Sequence, residues 1–285
     1  MADGGLLDRR YVWHRLRRSP LAMAGVLIIL FVLFVMAAAP WLAPYDPAHL
    51  DLLHRLAAPS LAHWFGTDQV GRDLLSRVVW GSRTSVTVGL GIVALALSVG
   101  TVIGAFSGLA GGAVDTAIMR VMDVLLSFPA FVMAMALAAA LGPNLTNAML
   151  AIGVVRVPFY VRVARGQALS LRERPYVKAA QTFGASRFAI VARHIVPNAM
   201  APIIVQGTLD IGIAILTASA LSFIGLGAQE PTAEWGAMVA DGRDFLLDQW
   251  WYPTFPGLAI LVTAVGFNLL GDGLRDILDP KQRGR

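Results

Sequence analysis

Asp210 lies near the middle of an apolar stretch, 198–222, where an ionised carboxylate is costly unless it faces a partner charge or a wet cavity. Arg156, inside a second apolar stretch at 147–165, is a candidate for that partner or for a separate charge on a solute pathway; a purely structural, hydrogen-bonded role is the alternative for both. Ser219 and Asn268 are further polar side chains within apolar stretches, either lining a pathway or joining helices by hydrogen bonds. Covalent chemistry finds little to work with. There is no cysteine, the five histidines are scattered without a metal-binding spacing, and no nucleophile–base constellation is present, so no catalytic or metal-ligating residue is expected. A phosphate-cradling loop needs Gly-Lys-Ser/Thr, but the two lysines, Lys178 and Lys281, are followed by Ala179 and Gln282.

A different kind of chemistry, mechanical docking, is suggested by residues 175–184. Pro175 suits the first turn of a helix, where its missing N–H would be unsatisfied anyway, and Gly184 suits a left-handed stop. Between them Tyr176, Ala179, Ala180 and Phe183 fall at i, i+3, i+4 and i+7, one small apolar face with a bulky residue at each end. Such a face fits a partner's groove or a membrane surface. A second helix, roughly 186–194, is expected to follow with Ser186, Arg187, Arg193 and His194, and Pro197 to redirect the chain into the next span.

The elements that must hold these residues are set by composition. Hydrophobic residues form 56% of the 285, charged residues only 14%, and mean hydropathy is +0.65, so the bilayer is the expected solvent. A hydrocarbon core of about 30 Å needs roughly 20 apolar residues per helix. Six stretches qualify, at 21–42, 84–109, 124–142, 147–165, 198–222 and 254–275, which predicts an all-α polytopic protein. The first exceeds a typical signal core and reads as a retained anchor.

If the N-terminus faces inward and each span crosses once, inner segments carry 18 of the 23 Lys and Arg and outer segments 5, as the positive-inside rule requires. The basic net charge of +5 is therefore explained by membrane orientation and not by nucleic acid. Both termini are expected in the cytoplasm. The seven tryptophans, Trp13, Trp41, Trp64, Trp80, Trp235, Trp250 and Trp251, fall at span edges or in outer loops, where an indole is most at ease. The expected organisation is a cytoplasmic segment 1–20, an anchor helix 21–42, an outer loop 43–83, a five-helix core 84–275 with an inner segment 166–197 and an outer loop 223–253, and a cytoplasmic tail 276–285. Within the outer loops, Asp68, Arg72, Asp73 and Arg77 alternate in sign at near-helical spacing, which predicts a surface helix. Loop 223–253 is acidic, with Glu230, Glu234, Asp241, Asp244 and Asp248 against Arg243.

The order Lys178-Ala179-Ala180, three residues, Gly184, then twelve residues to Pro197 resembles the cytoplasmic loop of the membrane subunits of binding-protein-dependent ABC importers. Further matches run along nearly the whole chain: Arg18-Ser-Pro-Leu-Ala22, the run His63-Trp-Phe-Gly-Thr-Asp-Gln-Val-Gly-Arg-Asp-Leu-Leu-Ser-Arg77, Leu221-Ser-Phe-Ile-Gly-Leu-Gly-Ala228, Glu234-Trp-Gly236, and Leu270-Gly-Asp-Gly-Leu-Arg-Asp-Ile-Leu-Asp-Pro280. In this order they resemble the dipeptide/oligopeptide/nickel branch, specifically its dipeptide-permease-C-like second membrane subunit.

The resemblance implies a type I ABC importer permease fold and a subunit that forms half of a translocation pathway in the bacterial inner membrane. It also implies a homologous second permease subunit, two cytoplasmic ATPases that bind ATP and Mg, and an extracytoplasmic substrate-binding protein; membrane lipid is the remaining partner. Residues Tyr176, Val177, Lys178, Ala179, Ala180, Phe183, Gly184, Ser186 and Arg187 then form the coupling segment that docks on an ATPase. Asp68, Arg72, Asp73, Glu234, Trp235 and Asp241 become candidates for binding-protein docking or an outer gate. The family usually has Glu where this chain has Lys178 and Leu where it has Val196, which removes any salt bridge of that glutamate but leaves the alanine face. Short peptides are the implied cargo, with glutathione or nickel chelates carried by the same architecture as alternatives. A proton-coupled secondary carrier working through Asp210 is the rival from another class, and it predicts an internal repeat and broken helices.

Overall fold

A computed structural model of the chain describes residues 19–278; Trp13, the arginines before residue 19, Lys281 and the rest of the tail lie outside the described residues. Helix α1, Pro20–Leu42, starts where expected because Ser19 accepts the Ala22 N–H at 3.3 Å and Pro20 occupies the first turn. Helix α2, Leu74–Ala110, is capped by Asp73, which accepts the Ser76 N–H at 2.8 Å. It thus begins ten residues before the apolar stretch. At 37 residues it is about 55 Å long, well beyond a hydrocarbon core of about 30 Å.

The third expected span, 124–142, is not one helix. Gly111 and Gly112, at φ +63° and +56°, turn the chain out of α2 into α3, Gly112–Leu126; then α4, Ala130–Leu141, leaves at 87° to it. The break falls at Ser127-Phe128-Pro129, where proline lacks an N–H and forces Phe128 out of helical geometry. Helix α5, Leu145–Leu171, is capped by Asn144 and runs six residues past the expected end of its span. After α6, Pro175–Thr182, one helix α7, Arg187–Phe223, replaces the separate 186–194 helix and redirecting Pro197. Val191–Ile195 form a π turn in which the Val196 N–H reaches back to the Val191 carbonyl, and this wider turn accommodates Pro197 without a break. Helix α8, Trp235–Gly242, and α9, Trp251–Leu278, complete the chain.

Close backbone approaches fix the direction of each helix. Gly100, Gly104 and Gly108 of α2 lie against Val157–Tyr160, Val161–Arg165 and Arg165–Leu169 of α5, advancing together, so these two helices are parallel. A parallel pair demands that the chain between them return across the bundle, and only α3 and α4 are available. Among the described residues five helices are long and apolar enough to cross a membrane, six if the bent pair α3–α4 counts as one span. Gly89 against Ile215 and Gly207 against Val93 and Leu97 make α7 antiparallel to α2; Gly271 against Leu209 makes α9 antiparallel to α7; Gly25 against Leu270 and Gly273 against Ala22 make α1 antiparallel to α9. Residue 19, the α2–α3 turn, the 172–186 segment and residue 278 therefore share one end of the bundle. The 43–73, 142–144 and 224–250 segments share the other.

Candidate functional site

The first candidate region is α6. Arg174 and Pro175 start it, and Gly184, at φ +77°, stops it, as the sequence indicates. Its faces divide differently from the expected pattern. Val177 is fully buried with Ala105, Ala168, Ile190, Val191 and Ile195, and Ala180 packs partly on the same cluster. Val177 is thus an anchor holding α6 to α2, α5 and α7, and neither it nor most of Ala180 is available to a partner. Tyr176, Ala179 and Phe183 point outward; Phe183 is 88% exposed, and Phe188 of α7 adds a second aromatic at 75%. Ser186 caps α7 by accepting the Ala189 N–H at 3.2 Å, and Arg187 is exposed beside it.

At mid-bundle, Asp210 of α7 is wholly buried and meets Arg156 of α5 through both carboxylate oxygens, one of them at 3.1 Å from Nε. Tyr160, one turn further along α5, donates its hydroxyl to Asp210 Oδ2 at 3.0 Å. The guanidinium also lies over Phe159, 5.5 Å from its centroid. Asp210 therefore lines no open pathway; its negative charge is neutralised inside the bundle, and Arg156, 24% exposed, is the member of the pair that reaches a surface. Ser219 is buried where Gly236 of α8 lies directly on its backbone, and Asn268 abuts Gly212 between α7 and α9. Ser219 is thus enclosed by packing, while Asn268 is half-buried.

The opposite end carries a second charge network. Asp68, Arg72, Asp73 and Arg77 are all buried, and instead of a surface helix residues 67–73 form a turn closed by an isolated bridge between Thr67 and Asp73. Gly71, at φ +82°, sits where a side chain would overlap the Asp51 carbonyl. Asp68 accepts the Arg72 backbone N–H at 2.9 Å and its Nε at 2.5 Å; the two remaining Arg72 nitrogens grip Glu230, one at 2.9 Å, and Arg77 donates to the Pro47 carbonyl at 3.1 Å. Asp73 is taken up by Ser76 and by His63 Nδ1 at 2.9 Å. Alternating charges that pair with each other can be buried, and here they are. Burial, and then the neighbouring Glu230 carboxylate, push Asp241 up to about 6. Burial acts the same way on Glu230, but Arg72 and Arg77 outweigh it and hold Glu230 below the ordinary glutamate value.

Glu234 and Trp235, expected at a docking surface or an outer gate, are also buried. Glu234 caps α8 by accepting the Gly236 and Ala237 N–H groups at 3.0 and 2.9 Å and takes the Ser85 hydroxyl at 3.0 Å, while the Trp235 indole donates to the Val78 carbonyl at 2.8 Å. They bind α8 to α2.

Residues 100–284 match the family described as binding-protein-dependent transport system inner membrane component. This chain belongs to that family. Residues 9–59 of the permease also match the N-terminal transmembrane domain of oligopeptide transport permease C. The permease is 59% identical over 276 residues to the probable D,D-dipeptide transport system permease protein DdpC of Escherichia coli, covering 97% of this chain and 92% of that one. It is 44% identical over 274 residues to the dipeptide transport system permease protein DppC of Alkalihalophilus pseudofirmus, covering 96% and 90%. It is also similar to the glutathione transport system permease protein GsiD of Shigella boydii, 41% identical over 273 residues, covering 95% and 90%.

The permease uses Lys178 to pair with Glu173 at 3.0 Å, an exposed ion pair within its own chain. Three groups important to these sites escaped the sequence reading. Tyr160 completes the Asp210 site and carries a helical-spacing signal, four residues from Arg156. Asp115 of α3 takes two hydrogen bonds from Arg165 of α5 at 2.6 Å and one from Ser107 of α2, clamping the start of the bent pair to α2 and α5. Ser85 links α2 to Glu234, and no local pattern announces it.

Proposed function

We propose that this chain forms one half of the translocation pathway of an ABC importer for short peptides, with D,D-dipeptides as the leading substrate class. The 59% identity to a protein named for D,D-dipeptide transport supports that class, and the related glutathione permease marks the wider range of peptide-like cargo. The complex would contain a homologous second permease, two ATPases that bind ATP and Mg, and a substrate-binding protein. The bundle end carrying α6 and both described chain ends would face the cytoplasm, in keeping with the excess of Lys and Arg there.

The observation that carries the mechanism is the two-sidedness of α6. Val177 fixes it rigidly to α2, α5 and α7, while Tyr176, Ala179, Phe183 and Phe188 stand clear as an apolar face for an ATPase groove. Approach of the two ATPases on binding nucleotide would move α6, and α5 and α7 with it, switching which end of the pathway is open. The chain's own part is mechanical, with no bond made or broken in it. On the far end, the burial of Asp68, Arg72, Asp73, Glu234 and Trp235 leaves the exposed tips Leu53, Leu61 and Leu247, each more than 90% exposed, as the contact for the binding protein.

Uptake of labelled D-alanyl-D-alanine and L-alanyl-L-alanine by vesicles holding the full complex tests the substrate class. Phe183→Ala and Ala179→Trp, which leave the Val177 anchor intact, should abolish uptake and peptide-stimulated ATP hydrolysis while the protein still inserts. Unchanged stimulation in both would remove α6 as the coupling element.

A further inference from the structure

At the end of the bundle away from α6, a pocket of about 440 Å³ opens between the starts of α2 and α5 and the segments around Pro47 and Thr232. That volume falls in the ~300–1,000 Å³ range of small-ligand sites. Its walls include Trp80, Arg83, Thr84, Thr87, Leu145 and Thr232. The Arg83 side chain is exposed, with its guanidinium carbon 5.1 Å from the Trp80 ring centroid. Stacking on an indole holds the cation by one face and leaves its edge N–H groups free.

Arg83 differs from its neighbours in what it lacks. Arg72 and Arg77 are taken up by Asp68 and Glu230, whereas among the described residues no carboxylate lies within 4 Å of Arg83. A guanidinium that shares its pocket with three threonines, in a wall otherwise mostly apolar, is complementary to a planar two-oxygen anion. Arg83 also heads the exposed face of α2 that continues at helical spacing through Thr87, Leu90, Ala94 and Ser98. The pocket thus opens onto the one stripe of this central helix that the chain itself leaves uncovered.

We propose that this pocket is an entry subsite that receives the C-terminal carboxylate of the incoming peptide, with Arg83 as the bidentate donor and Thr84, Thr87 and Thr232 as adjustable hydroxyl partners. This rests on the peptide reading above and adds a specific polarity: the free carboxylate is read at the mouth.

The chain has no cysteine, so Thr87→Cys places a single thiol on the pocket wall. In the assembled complex, millimolar alanyl-alanine should slow maleimide labelling of that thiol several-fold. Alanyl-alanine amide should not, and Arg83→Gln should abolish the protection while Arg83→Lys keeps part of it. Protection by the amide equal to that by the free acid, protection that survives Arg83→Gln, no protection at all, or a thiol that never reacts would each overturn the assignment. Peptide uptake by the same complex is measured separately: uptake without protection sinks this subsite alone, and protection without uptake of any peptide sinks the transport reading alone.

Discussion

Arg156 of α5 and Asp210 of α7 form a charge pair across two spans, with Tyr160 donating to the same carboxylate at 3.0 Å. Removing one partner leaves a buried charge without compensation, which costs about 3–5 kcal/mol, whereas replacing both by apolar residues of similar volume is often neutral. Arg156→Met, which strands the wholly buried Asp210, should therefore destabilise the purified protein by several kcal/mol, and adding Asp210→Leu should recover most of the loss. Thermal unfolding in detergent reads both. A double variant no better than Arg156→Met alone would show that the pair is not the source of the effect.

Gly104 and Gly166 give opposite expectations for the same change. A side chain at Gly104 would overlap the Val161 carbonyl and prise α2 from α5, so Gly104→Ala should destabilise by about 1–3 kcal/mol. Gly166, in the interior of α5, has nothing within 4 Å of a new Cβ, and Gly166→Ala should be neutral or stabilising by up to about 1 kcal/mol. The ranking is checked by thermal unfolding of the two variants side by side.

Glu234 makes three hydrogen bonds at the start of α8. Glu234→Ala should cost about 1–2 kcal/mol and loosen the 224–250 segment. Faster tryptic cleavage after the exposed Arg243 is the direct readout; Glu234→Gln, which keeps one acceptor oxygen, should be cleaved at an intermediate rate.

Asp241 makes the charge network at the 43–73 and 224–250 end sensitive to pH. Its folded value, about 6, is above its ordinary 3.8, so the folded state binds the proton more tightly. The resulting stabilisation is complete below about pH 4 and is lost as pH rises through about 6. Glu230 has the opposite sense: its lowered value adds stability above 4.5 that is lost at lower pH. Between about pH 5 and pH 7.5 the wild type should lose about 1 kcal/mol more than Asp241→Asn, after allowing for partial solvent screening. Equal pH slopes in the two proteins would show that Asp241 does not titrate in this window.

The apolar stretches located α1 and α9 to within three residues, where hydropathy alone decided. They failed where local backbone chemistry intervened. Pro129 split the third span because a missing N–H outweighs apolar composition, and Asp73 started α2 ten residues early because a cap can hold a helix turn that hydropathy does not mark. Pro175 and Gly184 bounded α6 correctly, since both act through backbone geometry that is local in sequence. The outward face of α6 was only half legible. Periodicity groups Tyr176, Ala179, Ala180 and Phe183, but whether a residue faces the bundle or a partner depends on which helix lies underneath.

What the sequence determined by itself was the solvent, the number of crossings and the places where glycine, proline and capping side chains bend or end a helix, because each of those rests on residues within a turn or two of one another. Only the tertiary structure decided that Arg156 meets Asp210, that α2 and α5 run parallel, and that Asp68, Arg72, Asp73, Glu234 and Trp235 are buried ties instead of a docking surface. Charge pairing across helices and burial at a helix crossing depend on the rotation and depth of elements 50 to 160 residues apart. Sequence periodicity carries no information about either.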